Sequence, residues 1–403
     1  LAACRAAAER SEQVQQNEAA ILHNLASLLR QQGEVQEALG LYRESLAIKE
    51  RIGDTMGRAA TLHNLAGLLR QQGELDEALE LYRESLAIEE TIGNVPGKAP
   101  TLHEMAGISA QRGEAEEALK LYRESLAIRE SVGDARGRAS TLHQMGKVFE
   151  KRGETEEALR LYRESLDITE RVGDVQGRGA ALCRMAGISA RQGKVEEALE
   201  MCRESLELLG KIGDVRGRAA TLHEVAGIES RRGNGEKAAA LLRESAAALA
   251  PVRAWLDLIV VLRDLAALEE SRSAGLLAQA VWLSTRVGVP ARHLLEPAAE
   301  LLARTGRGSD RAPAIAAATL LLVTERAPAG PAAESVRDPA LSLLAACAEA
   351  RGVSTEGIRE WIVAERLNDP EHVVPAALAA LEEIVGDDEW LFDRSLLSGD
   401  AQP

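Results

Sequence analysis

The sequence predicts an all-α fold of the solenoid class, and three observations predict it. The string LYRESLAI occurs at 41–48, 81–88 and 121–128, followed by LYRESLDI at 161–168, MCRESLEL at 201–208 and LLRESAAA at 241–248, always 40 residues apart. A second string keeps the same step: ILHNLA from Ile21, TLHNLA from Thr61, TLHEMA from Thr101, TLHQMG from Thr141, ALCRMA from Ala181 and TLHEVA from Thr221. A glycine follows each at one offset: Gly33, Gly73, Gly113, Gly153, Gly193 and Gly233. A fixed period of this size is the signature of stacked helical repeats. Composition agrees: 46% hydrophobic residues can fill a core, while 2% aromatic residues are too few for a β-sandwich or barrel.

Each repeat reads as two helices. In residues 59–98 the first helix buries Leu62, Leu65, Ala66 and Leu69, which recur at helical spacing. Gly73 ends it, because glycine enters the left-handed region without a Cβ clash. The second helix buries Ala78, Leu79, Tyr82, Ser85 and Leu86, runs to Ile92 and stops at Gly93. The small residues Ala66, Ala78 and Ser85 let the pair approach closely. Asn94, or aspartate in Asp54, Asp134, Asp174 and Asp214, follows the second glycine and suits an N-cap for the next first helix. The link between repeats is therefore short.

These residues resemble a tetratricopeptide repeat: the Leu-Ala pair of the first helix, the glycine turn, then Ala78, Tyr82 and Ser85. The family repeat usually measures 34 residues. The 40-residue form resembles the repeats of kinesin light chains and Pins-type adaptors, and the proline that often ends the family's second helix is missing. HEAT and armadillo repeats share the length but lack this glycine and small-residue arrangement. The resemblance implies a right-handed superhelical α-solenoid, with first helices lining a concave groove and second helices outside.

The expected repeats are 19–58, 59–98, 99–138, 139–178, 179–218, 219–258 and a degenerate seventh at 259–298. In the seventh, Leu262, Leu265, Ala266, Ala278, Trp282 and Thr285 keep the register, with Trp282 in the slot of Tyr82. Residues 1–18 read as the second helix of a truncated preceding repeat, so a fragment of a longer protein is expected. Beyond 298 the period fades. Turn-rich stretches at Thr305–Pro313 and Ala327–Pro331 separate expected helices at 312–326, 338–351, 355–367 and 373–386, together a helical C-terminal cap over 299–403.

Chemistry-bearing motifs are scarce. The chain has no G-x-x-x-x-G-K-[ST], H-E-x-x-H, G-x-S-x-G or C-x-x-C. The repeated G-D-x-x-G-R link lacks the preceding strand of a phosphate-binding loop. Histidine recurs in one slot at His23, His63, His103, His143 and His223. First helices stack roughly 8–10 Å apart, too far for a tetrahedral set of ligands at about 2.1 Å from zinc. No metal, no cofactor and no catalysis are therefore expected. Cys183 takes the histidine slot and Cys202 the tyrosine slot as local variants. A net charge of -15 disfavours nucleic acid and anionic membrane as partners. The absence of a signal-like segment or a bilayer-length apolar run leads to a cytoplasmic expectation. The Ala, Arg and Gly content points to a bacterial source.

The expected working surface is the groove. While packing slots barely change, the slot after histidine reads Asn24, Asn64, Glu104, Gln144, Arg184 and Glu224. The pair before the glycine includes Arg30 and Gln31, Arg70 and Gln71, then Gln111, Lys151, Arg191 and Arg231. The resemblance implies that Asn24 and Asn64 hydrogen-bond the backbone of an extended peptide, since an amide offers both donor and acceptor. The arginines suit carboxylates. The first expectation is thus a non-catalytic scaffold for a peptide or protein segment of roughly 15–30 residues. A second is the sensor or regulatory arm of a larger bacterial signalling or defence protein, an ATPase or caspase-like protease, whose other domains are its partners. An enzyme within 300–403 has no acid–base pair to support it. Self-association through the exposed N-terminal end is a further expectation.

Overall fold

The computed structural model describes the backbone of residues 2–32, 34–287, 291–326, 331–354, 357–385 and 390–392. It describes their side chains except at 2–12, 31–32, 271, 291–292, 325–326 and 331–337. The described residues form helices and turns with no strand. The chain divides into two compact bodies, Leu1–Gly177 and Arg178–Pro403.

The first body is a run of antiparallel helix pairs: α1 (Ala2–Gln32) with α2 (Val35–Ile52), α3 (Thr55–Gln72) with α4 (Leu75–Thr91), α5 (Val95–Arg112) with α6 (Ala115–Ser131), and α7 (Ala135–Lys151) with α8 (Thr155–Val172). Within a pair the contact is close: Ala78, Tyr82 and Ser85 of α4 are fully buried, as are Ala66 and Leu62 of α3, the helix it packs on. Each serine is satisfied across the gap. Ser45, Ser85, Ser125 and Ser165 donate from Oγ to the carbonyls of Ala19, Ala59, Ala99 and Ala139 at 2.7–2.9 Å. Each second helix then packs on the next first helix, α2 on α3, α4 on α5 and α6 on α7.

The turns follow from glycine and aspartate chemistry. Gly73 sits at φ 94°, its N–H donates to Arg70 O at 3.1 Å, and Glu74 N–H reaches Leu69 O at 3.0 Å. That pair of bonds closes a helix end that only a left-handed residue can make. At the other turn Asp54 Oδ1 accepts from Gly57 N–H at 2.8 Å. A Cβ on Gly57 would lie 1.9 Å from Asp54 Oδ2, which explains the glycine in G-D-x-x-G-R. The same cap recurs at Asn94, Asp134 and Asp174, and in the second body at Asp214. Structurally a repeat therefore starts at this cap, a few residues before the boundaries expected from the repeated strings.

The N-terminus differs from expectation. Residues 1–18 do not form a separate second helix: α1 runs unbroken from Ala2 to Gln32, 31 residues against 18 for α3. The reason lies in register. Where α3 is preceded by Gly53 and Asp54, the corresponding residues 13 and 14 are Gln13 and Val14. Neither supplies a left-handed turn or a cap.

The second body begins within α9 (Val175–Arg191) and continues with α10 (Val195–Ile212), α11 (Val215–Arg231) and α12 (Gly235–Leu249). The degenerate seventh pair is α13 (Trp255–Leu268) and α14 (Ser273–Val287), joined by a 3-10 turn at Glu270–Arg272 in place of the glycine turn. Five further helices follow: α15 (Ala291–Thr305), α16 (Ala312–Arg326), α17 (Pro331–Glu349), α18 (Ile358–Ala364) and α19 (Pro370–Val385). Thus α15 crosses the boundary expected at 298, and α17 starts earlier than expected because Pro331 suits a first helical position. Of the turn expected at Ala327–Pro331, residues 327–330 lie outside the described residues. One continuous apolar core runs from Ala219 to Phe392. In it α14 is covered by α15 and α19. Trp282 donates from Nε1 to Glu382 at 3.0 Å and stacks edge-on against Trp390 at 5.1 Å.

Candidate functional site

The first helices of the first body carry a ladder of histidines. Each ring packs against the tyrosine of its own repeat: His23 on Tyr42, His63 on Tyr82 and His103 on Tyr122 at 5.3 Å, and His143 on Tyr162 at 5.2 Å. Each of the first three also reaches the next repeat, with Nδ1 of His23, His63 and His103 at 3.1–3.2 Å from Oγ1 of Thr61, Thr101 and Thr141. At His23 the tautomer follows from counting protons. Thr61 Oγ1 donates its one hydrogen to Gly57 O and accepts from Lys49 Nζ at 2.7 Å, so His23 Nδ1 donates to it. Nε2 of His23 then accepts from Asn64 Nδ2 at 3.1 Å.

The rings of His23, His63 and His103 are neutral at pH 7. Burial, with Lys49 and Arg30 nearby, lowers His23 to about 4. Burial, with Arg129 and Arg70, lowers His103 to about 3, and burial lowers His63 too. The histidines are therefore joints between repeats, half-buried, rather than open groove residues. No group of three metal-ligating side chains is formed among the described residues.

Next to the ladder lies a cleft of about 220 Å³. Arg70 of α3 forms one side; His103, Glu104, Gly107, Ala110 and Gln111 of α5 form the floor; Gln144, Lys147, Val148 and Lys151 of α7 form the other side. Tyr122 of α6 lies beneath. The absent side chain of Gly107 opens the floor, since a Cβ there would stand 3.7 Å from Tyr122 Oη and Arg70 Nη1. Six residues picked from the sequence thus meet in one cleft: Arg70, His103, Glu104, Gln111, Gln144 and Lys151. Tyr122, Gly107 and Lys147 were missed. The signal for Lys147 was present: it occupies the slot of Gly107, four residues after the histidine and so on the same helix face.

Other expected site residues stand differently. Asn24 and Gln71 are exposed, and Arg30 and His143 are half-buried, none of them in the cleft. The side chain of Gln31 lies outside those described. Asn64, which the resemblance gave to a peptide backbone, is engaged by His23, and Arg70, expected to meet a partner's carboxylate, pairs with Glu104 at 3.0 Å. The cause is the stacking itself, which sets the residue after one histidine beside the preceding histidine. In the second body Arg184, Arg191 and Arg231 are exposed. His223 Nε2 donates to Asp264 Oδ2 at 2.6 Å, and Glu224 packs on Gly187 and lies 3.9 Å from Arg231. Burial, then Cys183 and Glu224, pushes the Cys202 thiol up to about 12, which makes it a poor nucleophile.

Paired helices, glycine turns and a cleft across successive first helices define a helical-repeat scaffold. Residues 17–91, 98–171 and 177–250 match the tetratricopeptide repeat family, and the chain belongs to it. Repeats of this family build protein-interaction scaffolds, and no catalytic family is matched. Aspartyl phosphate phosphatase F from Bacillus subtilis has a similar fold at TM-score 0.57 and 13% identity, covering 67% of this chain and 69% of its own. The apo form of RapI is similar at TM-score 0.54 and 16% identity, covering 72% and 100%. A putative kinesin light chain of Podosopora anserina with nearly identical repeats is 24% identical at TM-score 0.41, covering 48% and 96%. No curated protein matches the chain. No described helix is long and apolar enough to cross a membrane.

Proposed function

We propose that the chain is a non-catalytic scaffold that holds an extended segment of another protein against the first helices of its repeats. The observation that carries this reading is the cleft across α3, α5 and α7, lined by amides, cations and one carboxylate over a glycine floor. Gln111 and Gln144 each offer a donor and an acceptor suited to a peptide backbone. With Arg70 paired to Glu104, Lys147 and Lys151 leave the cleft with an excess of positive charge, so a segment with Asp or Glu at this point is favoured. This cationic pocket contrasts with the net charge of -15 of the whole chain, and repulsion elsewhere helps select where an acidic segment lands.

A displayed random-peptide library selected on the full chain tests this. Peptides selected on the parent should lose at least tenfold in affinity for a Gln111→Ala, Gln144→Ala, Lys151→Ala variant. All three residues line the cleft without packing in the core, so the variant should keep its helical circular dichroism. Selected peptides that bind parent and variant equally would place the site elsewhere and overturn the reading.

A further inference from the structure

In the fifth repeat two slots change together. The histidine slot holds Cys183 and the tyrosine slot holds Cys202. In the first four repeats those slots hold the two rings that pack on each other at 5.2–5.3 Å. The helix pair around the cysteines keeps its form. Ser205 donates from Oγ to Gly179 O at 2.9 Å, the bond that Ser45, Ser85, Ser125 and Ser165 make in the earlier repeats. Ser189 meets Glu197 at 3.5 Å at the other end, so α9 and α10 run antiparallel. Between these ends, Ala186, Ala198 and Cys202 share one core cluster.

Register then fixes where the cysteines fall. On α9, Gly179, Cys183 and Ala186 follow at steps of four and three residues and so share one face. On α10, Ala198, Cys202 and Ser205 follow at the same steps. With Gly179 opposite Ser205, and Ala186 opposite Ala198, Cys183 falls opposite Cys202. Packed helices lie about 8–10 Å apart between axes, and each Cα stands about 2.3 Å off its axis. Opposed Cα atoms therefore come to about 3–6 Å, which overlaps the span of about 4.4–6.8 Å that a disulfide bridges.

We propose that Cys183 and Cys202 are a reversible redox pair, which closes into a disulfide across α9 and α10 when a low-molecular-weight disulfide of the glutathione class accumulates. The two thiols are unequal, and that sets the order of steps. Cys202 is 0% exposed and Cys183 is half-buried, so the reagent meets Cys183 first. The Cys183 sulfur attacks one sulfur of glutathione disulfide, the S–S bond breaks, and the departing glutathione carries the Cys183 proton. The Cys202 sulfur then attacks the Cys183 sulfur of the mixed disulfide and expels the second glutathione, which takes the Cys202 proton. Two protein thiols are oxidised and one glutathione disulfide is reduced to two thiols. Burial, and next the Cys183 thiol, hold the proton on Cys202, so it is slow by itself and reacts through its placement opposite Cys183. Cys347 stands apart in α17, its Sγ 3.8 Å from Ala312 O. The bridge closes a loop around the Gly193 turn and stabilises the second body against unfolding. It does not depend on what the cleft on α3, α5 and α7 binds.

The test is to incubate the folded full chain with excess glutathione disulfide, quench with iodoacetamide, digest with trypsin and read the peptides by mass spectrometry. Peptides 179–184 and 195–203, which carry the two cysteines, should appear joined, and dithiothreitol should part them. The thermal midpoint of the oxidised chain should exceed that of the reduced one. Cys202→Ser should keep glutathione on Cys183, because the thiol that expels it is gone. Cys183→Ser should leave Cys202 unmodified under the same conditions. A parent that keeps glutathione on Cys183 without joined peptides, a parent in which neither cysteine reacts, or peptides that join only after unfolding in urea would each overturn the proposal. The parent's own peptides decide the matter even if a variant misfolds.

Discussion

A single histidine ring does two jobs here. It packs on its own tyrosine and bonds the threonine of the next repeat, and burial beside Lys49 and Arg30 keeps His23 neutral, the form in which its Nε2 accepts from Asn64. In the unfolded chain these rings take up a proton near 6.5. In the folded chain His23 resists until about 4 and His103 until about 3, chiefly through burial. The folded values are depressed, so the stabilisation is full above about 6.5 and is lost as pH falls toward the folded values. The thermal midpoint should therefore drop between pH 6.5 and 5, above the carboxylate range. Changing His23, His63 and His103 together to Gln should flatten that part of the profile, measured by circular dichroism melts. A parent midpoint that is level across this window would contradict the account. The recurrence of histidine was visible in the sequence, but its partner was not. Periodicity assigns a side chain to a face of its own helix and says nothing of which atom in the next repeat it meets. The same limit hid the Asn64 and Arg70 contacts, which the groove expectation had left open.

At the scale of the element, turn chemistry was legible almost residue by residue. Glycine at Gly73 and aspartate at Asp134 each have one physical use at a helix end, and the structure puts them to it. Asp134→Ala should cost about 1 kcal/mol in urea unfolding, the usual worth of an N-cap. Gly137→Ala should cost a similar amount, because its Cβ would lie 1.9 Å from Asp134 Oδ2 and must push the cap aside. The double variant should lose less than the sum of the two, since the displaced carboxylate is gone and only Arg129 Nη1, 2.5 Å from the added Cβ, still has to shift. Additive losses would show that the two residues act separately. Where the same chemistry is missing, at Gln13 and Val14, the turn is missing as well. The sequence reading extended the period through those residues, although their identities already argued for continuous helix.

For the chain as a whole, the second body depends on contacts that no period announces. Trp282 was recognisable as a variant of the tyrosine slot. Its partners Glu382, Trp390 and Phe392 lie about a hundred residues on in a segment with no internal repeat. Only packing brings them together. Trp282→Ala should destabilise the second body by about 3–5 kcal/mol, as removing a buried Trp does. It should also make the chain beyond Val287 the first point of tryptic cleavage. Unchanged resistance of that segment in limited proteolysis would show that Trp282 does not hold it.

The covered second helix α14 also bears on how such a chain can lengthen by gene duplication. A repeat added after α14 would have to displace Trp390 and α19 from a finished core. A repeat inserted between α2 and α3 would meet a familiar surface on both sides, because one repeat's second helix always packs on the next repeat's first. Duplication is thus tolerated within the array and penalised at its sealed end. The distribution of sequence identity follows that gradient: LYRESLAI is unaltered at 41–48, 81–88 and 121–128, decays to LLRESAAA at 241–248, and is gone from the seventh repeat, whose second helix is the sealed one.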